Sequence, residues 1–166
     1  MYDLRTTSNE GLPVLYARTA ATLWRSMDGG RLWVDIGENL PRGGWGQPAI
    51  ENWAIGAASG NILYAVVAVR GDRRLYVSTD GGDDWTMVPS SFALPGPALA
   101  LVAAEGSDLY LASPRGLHRS DDRGRTWSAG GSWPNAARPW RVAIGPQGDL
   151  YAATRGAGLL VSQDRG

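Results

Sequence analysis

The chain has no cysteine, no lysine and a single histidine, so all 16 of its basic residues are arginine. Without cysteine there is no disulfide framework and no thiol chemistry, and the redox compartment is left open. One imidazole, His118, gives a histidine-based metal site or catalytic triad little to build on. The 16 arginines are balanced by 16 acidic residues, so no global field favours nucleic acid or an anionic membrane. The longest clean apolar run, Ile62 to Val69, is far too short to span a bilayer. No signal peptide is expected within these residues, because repeat-like sequence begins almost at once with Leu4-Arg5-Thr6. A soluble protein is expected, with the compartment open and secretion or a periplasmic location among the options. Helical periodicity is absent too.

What is present is repetition. The pattern Ser-x-Asp-x-Gly-x-x-Trp occurs at Ser26, Asp28, Gly30, Trp33, again at Ser78, Asp80, Gly82, Trp85, and a third time at Ser120, Asp122, Gly124, Trp127. A fourth copy starts at Ser162, Asp164 and Gly166, where the sequence stops three residues before a Trp would fall. From Ser to Ser the steps are 52, 42 and 42 residues. A period in the forties with strand-like sequence between copies predicts β-propeller blades. The interrupted fourth copy leads us to expect a fragment of a longer gene. A chain that pairs with its own copy to close a ring, and a free-standing half-ring, are the alternatives.

Each copy follows an apolar run and precedes a Trp, so it reads as the turn of a β-hairpin. The Asp is suited to accept hydrogen bonds from backbone N–H groups a few residues on. The Gly two residues later suits a left-handed backbone position. The Trp opens the next strand and buries its ring, leaving an indole N–H that needs one partner. Folding therefore accounts for all four residue types without catalysis. Reading Asp28, Asp80, Asp122 and Asp164 as metal ligands fails on number, because a cation needs several converging oxygens and each blade supplies one. No metal and no cofactor is expected.

This motif resembles the Asp-box, or BNR repeat, of sialidases, sortilin-type receptors, xyloglucanase-type glycoside hydrolases and a photosystem II assembly factor family. The resemblance implies an all-β partial propeller of about three and a half four-stranded blades, with the box as the turn between strands three and four. It places the boxes on the face away from the working surface. Leu-Tyr pairs at 15–16, 63–64, 109–110 and 150–151 recur in register and give blades at 1–40, 41–92, 93–133 and an incomplete 134–166. First strands are expected at Trp53 to Ala57, Leu99 to Ala103 and Arg141 to Ile144. Continuous runs such as Leu63-Tyr64-Ala65-Val66-Val67 fit strands buried on both faces. An open array would leave strand edges and an apolar blade face at each end, which invites self-association.

In such propellers the working face carries the turns from strand two to three and the links between blades. Two sets of residues fall there. Trp45, Trp53, Trp133 and Trp140 lie in the links, where exposed indoles stack on sugars or anchor protein partners. Arg18, Arg70, Arg115 and Arg155 sit at the turns, with Arg73 and Arg74 beside the second, and suit recognition of a carboxylate or phosphate. An enzyme is harder to build. The Arg-Ile-Pro tripeptide of sialidases is absent, and Tyr16-Ala17-Arg18-Thr19 resembles a xyloglucanase-type string but is followed by Ala20 instead of the catalytic Asp. The acids outside the boxes form no evident pair of the kind glycoside hydrolysis uses. The expected role is a non-catalytic recognition scaffold for a glycan or protein surface, with no nucleic acid and no membrane insertion. A piece of a sialidase-like or xyloglucanase-like hydrolase, with catalytic residues partly outside this chain, and a protein-assembly factor are the alternatives.

Overall fold

The computed structural model describes residues 3–9, 12–19, 22–42, 50–56, 61–69, 71–90, 94, 97–104, 106–134 and 137–164. Trp45, Arg70 and Gly166 lie outside the described residues. The protein is all-β, with four small antiparallel sheets arranged in a ring as the blades of a propeller. The first blade is β1 (Asp3–Asn9), β2 (Leu12–Arg18), β3 (Leu23–Ser26) and β4 (Val34–Asp35). The second is β5 (Ile50–Ile55), β6 (Leu63–Val69), β7 (Asp72–Ser78) and β8 (Thr86–Met87). The third is β9 (Ala100–Ala103), β10 (Leu109–Ser113), β11 (Gly116–Ser120) and β12 (Ser128–Ala129). The fourth has β13 (Arg138–Ile144), β14 (Leu150–Arg155) and β15 (Leu159–Ser162), and among the described residues no fourth strand. No helix of the described residues is long and apolar enough to cross a membrane.

The Leu-Tyr pairs explain how the blades stack. Adjacent residues of a strand point to opposite faces, so the Leu of each pair faces the preceding blade and the Tyr the following one. Tyr16 packs with Trp53, Leu63, Ala65 and Val67 of the second blade. Tyr64 packs with Leu101, Leu109 and Leu111 of the third, and Tyr110 with Val142, Leu150 and Ala152 of the fourth. All three tyrosines are buried, whereas Tyr151, whose ring faces away from the third blade, is half-buried. Central strands such as β6 are buried on both faces, and each fully buried Leu or Val there contributes about 1.5–3 kcal/mol. Three apolar clusters thus cement the 1–2, 2–3 and 3–4 boundaries. Across the 4–1 boundary the described contact is polar, Arg141 to Asp3 at 3.8 Å.

The repeated turns share one geometry. Ser26 Oγ donates to Asp28 Oδ1 at 2.8 Å and accepts the Gly30 N–H at 2.8 Å, while Asp28 accepts the Arg31 and Leu32 N–H groups. Ser78, Asp80, Gly82 and Asp84 repeat it, and so do Ser120, Asp122, Gly124 and Thr126. Ser162 Oγ donates to Asp164 at 2.6 Å in the fourth. These hydrogen bonds stabilise the ionised carboxylates, so Asp28 and Asp80 are held below the ordinary range and Asp122 is held down to about 2, chiefly by the Thr126 hydroxyl. The indole N–H groups find backbone partners as well: Trp33 on Gly30 O, Trp127 on Gly124 O, and Trp85 on Ile36 O of the neighbouring blade.

Candidate functional site

The first strands of the blades surround a central cavity of about 460 Å³. It opens at the end of the sheets that carries the strand two-to-three turns; antiparallel order places the Ser-x-Asp turns at the opposite end. Two β-bulges shape the wall. In the second blade Ile50 pairs with Val67 and Asn52 with Val66, leaving Glu51 without a partner across the ladder. In the fourth, Pro139 pairs with Thr154 and Arg141 with Ala153, leaving Trp140 likewise. A bulge re-aims the extra side chain, and both Glu51 and Trp140 line the cavity.

Five guanidinium groups line it, Arg5, Arg18, Arg138, Arg141 and Arg155, against two carboxylates, Asp3 and Glu51. Both carboxylates are engaged. Asp3 accepts from Arg5 Nε at 3.0 Å and from the Trp53 indole N–H at 3.1 Å. Glu51 accepts Arg73 Nε on both oxygens, at 2.8 and 2.9 Å, and the Ala98 N–H at 3.0 Å. Arg18 is a brace, donating to the Ile50 and Glu51 carbonyls and tying the first blade to the second. Asn52 does the same between blades two and three, donating to Leu99 O and accepting the Leu101 N–H. Arg5 lies 4.8 Å from the Trp53 ring centre. Burial pushes its guanidinium down from the ordinary value; Asp3 opposes the shift, and Arg141 and Arg18 reinforce it. Like charges crowd this wall. Arg138, Arg141, Arg155 and Trp140 are exposed, the last at 54%.

The expected residues divide three ways. Trp140, Arg18 and Arg155 meet at the cavity. Trp53 does not offer a ring to a ligand: it is fully buried between blades one and two, and its link segment is already strand β5. Trp133 lies away from the cavity, half-buried on the third cluster with its N–H on Ser113 O. Arg115 is exposed in the β10–β11 turn, next to the Pro114 that lines the cavity. Reasoning from turns missed Arg5, Arg138 and Arg141. The sequence signal for two of them was their position either side of Pro139-Trp140. Among the described residues no group of three or more acidic or histidine side chains is arranged to hold a metal ion.

No family model matches the chain, and no curated protein matches it. Solved structures do. YCF48 bound to D1 peptide superimposes with a TM-score of 0.65 at 19% identity, covering 91% of this chain and 47% of that one. The GH74 xyloglucanase from Xanthomonas campestris gives 0.70 at 21%, covering 99% of this chain and 31% of the enzyme. YCF48 from Cyanidioschyzon merolae gives 0.63 at 18%, covering 98% and 53%. The chain therefore spans about half or less of the length of these neighbours. What it shares with YCF48 and with the GH74 xyloglucanase is the fold.

Proposed function

We propose that this propeller is a non-catalytic recognition scaffold whose central cavity binds an acidic polypeptide segment. The observation that carries the reading is the charge balance of the wall: five arginines face two carboxylates that are already hydrogen-bonded. Arg138, Arg141 and Arg155 are the cationic contacts, suited to bidentate capture of carboxylates. Trp140 is the flat apolar platform beside them. A neighbour's structure with a bound D1 peptide makes a protein partner a natural occupant for this fold. The engagement of Asp3 and Glu51 speaks against their acting as the acid and base of a hydrolase.

A glycan is the second reading, favoured by the exposed ring of Trp140 and by the GH74 neighbours. In that case the catalytic carboxylates of a hydrolase would lie outside this chain. Fluorescence titration separates the two. An acidic peptide should perturb Trp140 emission and bind more weakly as salt is raised. Arg155→Ala should weaken it about tenfold, the loss of roughly one charge-assisted hydrogen bond. Binding of a neutral oligosaccharide that is insensitive to salt and abolished by Trp140→Ala would favour the glycan instead.

A further inference from the structure

Glu51, the extra residue of the second-blade bulge, brings a carboxylate to the cavity wall at the boundary between blades two and three. Its partners come from both blades: Arg73 at the start of β7, and the Ala98 N–H in the link that leads into β9. The pairing with Arg73 is incomplete. One Nε–H spans both carboxylate oxygens, at 2.8 and 2.9 Å, and among the described residues the terminal amino groups of Arg73 make no hydrogen bond. The parallel two-donor fork, the stronger way for a guanidinium to hold a carboxylate, is left unmade. The Arg73 and Glu51 side chains are 24% and 22% exposed, so water reaches the pair and opening it strands no charge in a dry interior.

The backbone around Glu51 is held without the help of its carboxylate. Arg18 donates to the Ile50 and Glu51 carbonyls. On the other side the Asn52 amide donates to Leu99 O and accepts the Leu101 N–H, as a peptide group of a paired strand would, and so docks the bulge onto β9. Glu51 itself has no partner across the ladder, so swinging its side chain away breaks no strand pairing. That movement leaves Arg73 Nε and the Ala98 N–H open to a second carboxylate, beside a cavity where guanidinium groups outnumber carboxylates. Two convergent donors on a fixed backbone, with a tethered acid seated imperfectly on them, make a carboxylate site closed by its own chain.

We infer that Arg73 Nε and the Ala98 N–H form a carboxylate subsite of the central cavity, which Glu51 fills in the unbound protein and yields to a carboxylate of the acidic segment. This rests on the acidic-segment reading, and the test reads the two separately. Glu51→Ala removes the side chain beyond Cβ, a fragment the size of acetate. Near-saturating acetate should therefore raise the thermal midpoint of Glu51→Ala by about 3–6 °C over chloride at equal ionic strength. It should also slow exchange of the Ala98 amide, and it should do neither in the wild type nor in Glu51→Ala/Arg73→Gln. No gain over chloride, or an equal gain without Arg73, would overturn the subsite. The exchange step is read by NMR with an oligoglutamate peptide: when the wild type binds it, the Glu51 carboxyl resonance should move while the Arg73 Nε–H stays hydrogen-bonded. Binding with Glu51 unmoved would overturn the exchange. If Glu51→Ala does not fold, Glu51→Gln carries the test, and should bind oligoglutamate at least about threefold more tightly than the wild type. Equal affinity would count against the inference, and so would an equal gain from Asp3→Asn, because the effect would then be one of net charge. Failure of oligoglutamate to bind any of these proteins would overturn the acidic-segment reading and the exchange with it, while the acetate arm judges the subsite by itself.

Discussion

Gly30, Gly82 and Gly124 hold the same place in three repeats, yet they should respond differently to alanine. All three have left-handed φ, +92°, +104° and +87°, which costs an L side chain about 1–2 kcal/mol. Their surroundings differ because Gly82 and Gly124 face the preceding blade, whereas Gly30 meets only its own. A Cβ at Gly82 would sit 2.8 Å from Ile36 Cβ and 2.6 Å from its Cδ1. One at Gly124 would meet Leu75 Cδ2, the far end of a buried side chain and not its branch point. At Gly30 the nearest atom is Leu15 Cδ1 of its own blade, an ordinary contact at 3.4 Å. Overpacking adds about 1–3 kcal/mol where the neighbour is stiff. The expected order of loss is therefore Gly82→Ala, about 2–5 kcal/mol, then Gly124→Ala, then Gly30→Ala at about 1–2 kcal/mol. Gly29→Ala, at φ +77° with nothing within 4 Å, isolates the backbone part. Urea unfolding measures the series, and thermal unfolding should echo it at about 2–4 °C per kcal/mol for a chain of this size. If Gly82→Ala cost no more than Gly29→Ala, the repeated turn would not be wedged against the neighbouring blade, and the stacking described above would be wrong.

Three further outcomes follow from the charges. Asp122 is held down to about 2 in the fold, below the ordinary value of about 4. Its hydrogen bonds therefore stabilise the protein above that ordinary value, and the contribution fades as pH falls from about 4 through about 2; Asp122→Asn should flatten this limb in a stability–pH titration. His118 is lowered by burial, with Arg115 adding to the shift, so the fold favours the neutral ring and stability should decline as pH drops below about 6.5. His118→Phe should remove that slope without touching the more acidic one. Glu51→Gln should destabilise by about 1–3 kcal/mol through its bonds to Arg73 and Ala98, while binding of an acidic peptide, measured by the same fluorescence titration, should hold or tighten as the cavity gains positive charge. A loss of affinity instead would make the carboxylate part of the recognition surface.

The blades were legible because their determinants are local and repeated. Ser, Asp and Gly close a turn with hydrogen bonds spanning two to four residues, and the Leu-Tyr pair encodes which neighbour each side of a strand meets. First strands were harder. β5 begins at Ile50 and β13 at Arg138, each upstream of the expected start, and β1 carries the unpromising sequence Asp-Leu-Arg-Thr-Thr-Ser-Asn. These are the innermost strands, and a strand whose side chains line a wet central cavity has no need of the apolar pattern by which buried strands are found.

The same physics explains why the site was only half visible. Arg18 and Arg155 sit at turns that the repeat marks, but Arg5 and Arg141 lie within strands, where a polar residue reads as noise. The tryptophans were sorted by something the one-dimensional pattern does not carry. Trp53 and Trp140 are both first-strand residues, yet one is buried to 0% and the other exposed to 54%. In β5 the bulge falls two residues before Trp53, so Glu51 takes the cavity-facing slot and Trp53 returns to the ladder opposite Ala65. In β13 the bulge residue is Trp140 itself. A shift of one residue in a strand exchanges its two faces, so the placement of these bulges decides which aromatic becomes core and which is exposed at the cavity. The lining of the cavity in this propeller is accordingly set by two irregularities in the sheets, whereas its architecture is set by their regularity.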